Sequence, residues 1–102
     1  MNLEITLAQS VAEAIKQLYG AVVETEKIQL QKTRKEFEGD FTLVVFPFLA
    51  FSKKRPEETA QEIGEQLKNN LPIIKSFNVV KGFLNLAIAP SYWVELLKHI
   101  DA

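Results

Sequence analysis

Two strand-like runs, residues 73–80 and 83–89, are separated only by Lys81-Gly82. A parallel pair needs a crossover of a dozen or more residues, so this link permits only an antiparallel hairpin. Glycine at the second central position suits such a turn. In the second run Leu84, Leu86 and Ile88 alternate with Phe83, Asn85 and Ala87. The first set therefore faces a core and the second shares the opposite face. Glycine and asparagine are poor choices for a plain core strand. They mark Val80 to Leu86 as a place where something besides packing has chosen the residues.

The other segments fix what the hairpin packs against. Leu3, Leu7, Val11, Ala14, Ile15 and Leu18 recur at spacings of three and four, which predicts a helix over residues 3–19 stopped by Gly20. Residues 28–33 alternate as a half-buried strand, and Glu36-Phe37-Glu38 reads as a second short strand beyond a basic turn at Arg34-Lys35. Gly39-Asp40 breaks the chain, and Asp40 or Thr42 is placed to N-cap the next segment. Residues 41–51 have strand-like composition, but Pro47 cannot donate to a ladder, so a short irregular buried helix is expected there. Pro56 at a first helical position, followed by Glu57-Glu58, opens a helix running to about Asn70 with Ala60, Ile63, Gly64, Leu67 and Leu71 on its inner stripe. Ser91 is placed to cap a last helix carrying Trp93, Leu96, Leu97 and Ile100. The fold class is α+β: one domain over residues 1–102, a two-layer sandwich with a small antiparallel sheet of three to four strands and helices on one face.

Composition narrows the chemistry. The sequence has no cysteine, so disulfides and thiolate catalysis are excluded, which fits a cytoplasmic location. Met1 leads directly into an amphipathic pattern carrying Glu4, which does not read as a secretory signal. The apolar run Leu43 to Phe51 is too short to cross a bilayer. The single histidine, His99, reads as a helix-end residue, and no cluster has metal-ligand spacing. Gly39, Gly64 and Gly82 are too far apart to cradle a phosphate. A catalytic role for this chain alone is not expected, and neither is a metal or cofactor of its own.

Binding remains. The net charge of −1 gives no general attraction to nucleic acid, so any such contact needs a local basic patch. Basic residues cluster at Lys32, Arg34 and Lys35, at Lys53, Lys54 and Arg55, and at Lys81. Phe41 and Phe83 follow nearby glycines. Exposed aromatics beside lysines stack unpaired bases while the lysines hold phosphates. The plainer alternative makes both rings core and the lysines solubilising.

Three stretches in order carry a resemblance: Gly39-Asp40-Phe41, then Lys53-Lys54-Arg55-Pro56-Glu57-Glu58-Thr59-Ala60, then Val80-Lys81-Gly82-Phe83-Leu84-Asn85-Leu86. Over essentially its whole length the chain resembles the N-terminal additional domain of arginyl-tRNA synthetase. That family typically shows Gly-Asp-Tyr, a basic segment with a proline before an Ala- and Glu-rich helix, and Gly-Phe-Ile-Asn. This chain departs from the pattern at Phe41, where tyrosine is common, and at Val44, where asparagine is frequent. It also has Val80-Lys81-Gly82-Phe83 in place of the usual Gly-Pro-Gly-Phe.

The resemblance implies a domain that contacts the outer corner of an arginine-accepting tRNA at its D-loop. Gly39, Asp40, Phe41, Gly82, Phe83 and Asn85 would lie against the loop, and Lys53, Lys54, Arg55 and Lys81 would pair with phosphates. Binding by the isolated domain is expected to be weak and salt-sensitive. The resemblance further implies a class I parent enzyme that uses ATP to charge tRNA, with its catalytic core and anticodon-binding domain outside this chain. That core is then a partner, and neither membrane nor DNA is. Two other readings stay open. One is a protein–protein docking or dimerisation module, which suits the apolar Phe46-Pro47-Phe48 segment. The other is a small-molecule enzyme, which would need a deep polar pocket around Asp40, Asn85 and His99.

Overall fold

The computed structural model describes residues 3–89. The apolar stripe of the first segment forms helix α1, Leu3–Tyr19, burying Leu3, Leu7, Ala8, Val11, Ala14 and Ile15. After it come strands β1, Leu30–Lys32, and β2, Phe41–Val44, and the short helix α2, Leu49–Ser52. Helix α3, Pro56–Asn70, starts at the predicted proline and buries Ala60, Ile63, Gly64 and Leu67. Strands β3, Ile74–Val80, and β4, Phe83–Ile88, close the described fold. The four strands form one antiparallel sheet in the order β1-β2-β4-β3. The α+β reading and the antiparallel hairpin are both realised; the expected helix after Ser91, with His99, lies outside the described residues.

Residues 41–51 depart from expectation. Their first four form a strand, not a helix, and β2 sits at the centre of the sheet between β1 and β4. Pro47 lies past the strand, at the start of a 3-10 turn over Phe46–Phe48, where its missing N–H costs nothing. Likewise 36–38 is not a strand but part of the turn between β1 and β2, with the Phe37 N–H donating to the Arg34 carbonyl at 3.0 Å. Asp40 caps no helix. Its carboxylate accepts the Ile88 N–H at 2.7 Å, and its own N–H donates to the Leu86 carbonyl at 2.7 Å.

Register sorts side chains into rows. Leu30, Leu43, Leu84 and Val79 align across the sheet, as do Phe41, Leu86 and Phe77. These rows meet the buried stripes of α1 and α3 in one apolar core. Gly64 makes that contact possible, since a Cβ there would lie 2.6–2.9 Å from the Phe77 ring. The two helices are also joined at the surface, where the Tyr19 hydroxyl donates to Glu62 at 2.8 Å.

The hairpin turn uses positive φ at both central residues, 49° at Lys81 and 81° at Gly82. That is a type I′ turn, the form that matches strand twist. Gly82 is buried, and a Cβ on it would lie 2.7 Å from the Pro56 Cβ. The hairpin tip is therefore seated on the first turn of α3.

Candidate nucleic-acid interface

The sheet face opposite the helices carries a polar row. Gln31, Thr42, Asn85 and Asn78 stand side by side, one from each strand. The Thr42 hydroxyl donates to Asn85 Oδ1 at 2.6 Å, and Asn85 Nδ2 donates to Asn78 Oδ1 at 2.9 Å. The Thr33 hydroxyl lies 3.0 Å from that of Thr42, and Asn78 Nδ2 donates to the Glu38 carbonyl at 2.8 Å. Asn85 is only 1% exposed, so burying its amide depends on these partners. Among the described residues, no buried side-chain polar atom lacks a partner.

Above this row lies a groove of about 260 Å³. Gln31, Thr42 and Asn85 form its floor. Val80, Lys81 and Phe83 bound it on the hairpin side, and Lys32, Arg34 and Phe37 on the side of the β1–β2 loop. Lys32, Arg34 and Lys81 are solvent-accessible at its rim. Phe83 is half-buried and stacks edge-on against Phe46, with ring centroids 5.7 Å apart and planes at 85°. The groove thus joins cations, aromatic rings and a hydrogen-bonded floor on the one sheet face that no described helix covers.

The predicted site residues divide. Lys81, Phe83 and Asn85 line the groove. Gly39 packs over the floor, where a Cβ would approach Asn85 Cβ to 3.2 Å, and Asp40 ties its loop to β4. Gly82 is spent on the turn and its seat against Pro56. Phe41 stands apart: it is 7% exposed and shares the core row with Leu86, so its ring is not available for stacking.

Lys53, Lys54 and Arg55 form the link from α2 to α3, away from the groove lining. Lys53 ends α2 in the left-handed conformation, φ 57°, and the Arg55 carbonyl accepts the Thr59 N–H and hydroxyl. Lys54 is paired with Glu62. The hydrogen bond from Lys54 holds the Glu62 carboxyl below the usual carboxylate range, against a smaller desolvation penalty, and the same hydrogen bond raises Lys54. Arg55 adjoins Pro56 and hence the hairpin tip. Sequence alone shows the basic turn at Arg34 without assigning it to the site; the signal that points there is Phe37 beside that turn.

The described residues do not fit ATP. The groove is below the roughly 300–1,000 Å³ of small-ligand sites, and α3 opens with Glu57-Glu58, which repel a phosphate from its N-terminus. Among the described residues there is no group of three or more His, Cys, Asp or Glu placed to hold a metal ion, and no helix long and apolar enough to cross a membrane.

The family model for the arginyl-tRNA synthetase N-terminal domain matches residues 6–88, which include every strand of this face. The chain belongs to this family. It is 59% identical over its full length to an arginine–tRNA ligase of Bacteroides fragilis and 58% identical to that of Bacteroides thetaiotaomicron. The ligase of Amoebophilus asiaticus is 42% identical over 92% of the chain. The chain spans about 17% of the length of the two Bacteroides relatives and 16% of the Amoebophilus one. In fold it is similar to part of Thermus thermophilus arginyl-tRNA synthetase, with a TM-score of 0.76 and 22% identity over 93% of this chain and 15% of that one. The family's sheet-and-helix layout is therefore the setting for the groove.

Proposed function

We propose that this chain is the tRNA-positioning domain of an arginine–tRNA ligase, and that its uncovered sheet face takes an unstacked base from the outer corner of the tRNA, at the D-loop. Catalysis, arginine and ATP belong to the rest of such a ligase, which works in the cytoplasm. The observation that carries the reading is the groove, in which Lys81 and Phe83 on the hairpin side face Lys32 across a polar floor whose Thr42 and Asn85 are hydrogen-bonded. Stacking one base on Phe83 supplies about 1–3 kcal/mol. Two or three neutralised phosphates add a salt-dependent contribution. Together these orient a large substrate without holding it tightly.

The test is a fluorescence-anisotropy titration of an arginine-accepting tRNA with the 102-residue chain at low salt. Weak binding that disappears as salt rises, and that falls further in Lys32→Glu/Lys81→Glu, supports the reading. Absence of binding, or binding indifferent to these charge reversals, overturns it.

A docking role is favoured by one separate observation. Val22, Pro47 and Phe51 line a hollow of about 210 Å³, with Val22 and Phe51 exposed. Its occupant would be the catalytic part of the same ligase. Val22→Asp/Phe51→Asp in a full-length ligase would then loosen the domain, seen as faster proteolytic release, while tRNA binding by the isolated chain stays unchanged. Unchanged release dismisses this contact.

A further inference from the structure

The β1–β2 loop does more than connect two strands. It crosses the uncovered face and is held there at both ends. Asn78 anchors the Glu38 carbonyl, and Asp40 anchors the Ile88 N–H. Thr33, at the other end, contacts Thr42, while Gly39 lies so close over Asn85 that a Cβ would meet it at 3.2 Å. Between these anchors Arg34 and Phe37 line the groove opposite Lys81 and Phe83. Phe37 is 39% exposed, and Arg34 has no ion-pair partner among the described residues.

The floor is unequal too. Thr42, Asn85 and Asn78 spend hydrogen-bonding capacity on one another. Gln31, in the same row, is exposed and makes no side-chain hydrogen bond among the described residues. An amide offers both donors and an acceptor, so Gln31 keeps what the inner members have used.

From this arrangement, and resting on the tRNA reading above, we infer that the loop is the second wall of a clamp for a single RNA base. Phe37 stacks on the face of the base turned away from Phe83. Arg34 takes a neighbouring phosphate, and Gln31 reads the base edge. The amide pair Asn85–Asn78 acts as a positioning element, because it sets the loop's height above the floor. The groove's size suits one planar base and excludes a duplex.

The experiment uses the 102-residue chain with two probes. The first is an arginine-accepting tRNA. The second is a set of four short single-stranded RNAs identical except for one central base. Phe37→Leu is expected to weaken tRNA binding about five- to a hundredfold, the range of one stacking contact. Arg34→Gln is expected to lower the slope of log affinity against log salt by roughly one. Gln31→Leu is expected to equalise the affinities of the four RNAs. All three side chains reach solvent, and unchanged thermal unfolding separates loss of contact from loss of fold. If Phe83→Leu and Lys81→Gln weaken tRNA binding while the Phe37 and Arg34 variants bind like the parent, the clamp is wrong and the positioning role stands. If the unaltered chain binds none of the RNAs, both are wrong.

Discussion

The two faces of the sheet are built from the same four strands in one register, yet they hold together differently. On the helix side Leu30, Leu43, Leu84 and Val79 form a row that coheres by excluding water. One residue along each strand, Gln31, Thr42, Asn85 and Asn78 form a row in which the inner three are held by directed hydrogen bonds. The strand period of two places the apolar row and the polar row a single residue apart, on opposite faces. The apolar row needs a helical cover. The inner three of the polar row satisfy one another, so that face needs no helical cover.

That contrast is most directly challenged by truncating each row at β4. Leu84→Ala removes a fully buried side chain and should cost about 2–5 kcal/mol in urea unfolding. The fraction that remains folded should bind tRNA as before. Asn85→Ala removes the bonds that Thr42 and Asn78 make to the buried amide, leaving them only Thr33 and the Glu38 carbonyl, and should cost less, about 1–3 kcal/mol. It should weaken tRNA binding as well, because the loop above it loses its height. Equal costs, or unchanged binding in Asn85→Ala, would break the distinction between the faces.

A finer test separates geometry from charge at the groove's rim. Lys81 occupies a left-handed backbone conformation that suits glycine better. Lys81→Gly should therefore raise stability by about 1 kcal/mol or less while flattening the salt dependence of tRNA binding. The family's common Gly-Pro-Gly-Phe could not make this turn, since proline fixes φ near −65°. A lysine at φ 49° is compatible with the I′ turn and sets a cation at the groove.

The smallest effect lies away from both faces. Because Lys54 depresses the Glu62 carboxyl, this pair's stabilisation is present above the carboxyl's unfolded pKa and lost as pH falls through the lower native one. Lys54→Met should raise the Glu62 midpoint in an NMR titration and flatten the acid limb of the stability profile. RNA affinity near neutral pH should hardly change, since Lys54 is engaged with Glu62. A large loss would move the interface toward the α2–α3 link.

What is legible in the sequence is local pattern. The stripes of α1 and α3, the break at Gly20, the proline start of α3 and the hairpin around Lys81-Gly82 each depend on residues near one another in the chain. Local pattern misreads residues 41–44, the start of segment 41–51, because their central place in the sheet depends on a distant strand as well as on β1, with Phe41 pairing Leu86. No nearby residue reveals that pairing, whereas Pro47 is conspicuous and lies just beyond the strand. The same remoteness hides the groove's loop wall. Arg34-Lys35 is visible as a basic turn, but its fold-back onto β3 rests on the Asn78–Glu38 hydrogen bond. Asn85 is anomalous in an apolar strand, and its partners explain the anomaly: it closes a bond chain between Thr42 and Asn78.

The central placement of β2 also bears on how the chain acquires its groove. The β3–β4 hairpin closes over two residues and can form early, while β2 must be captured across a long loop that includes all of α3. Phe83 and Lys81 exist in the early hairpin, but Arg34 and Phe37 reach them only after that capture. A half-assembled sheet therefore has one jaw and no clamp. RNA retention in a refolding experiment should lag behind hairpin formation and report the arrival of the slowest strand.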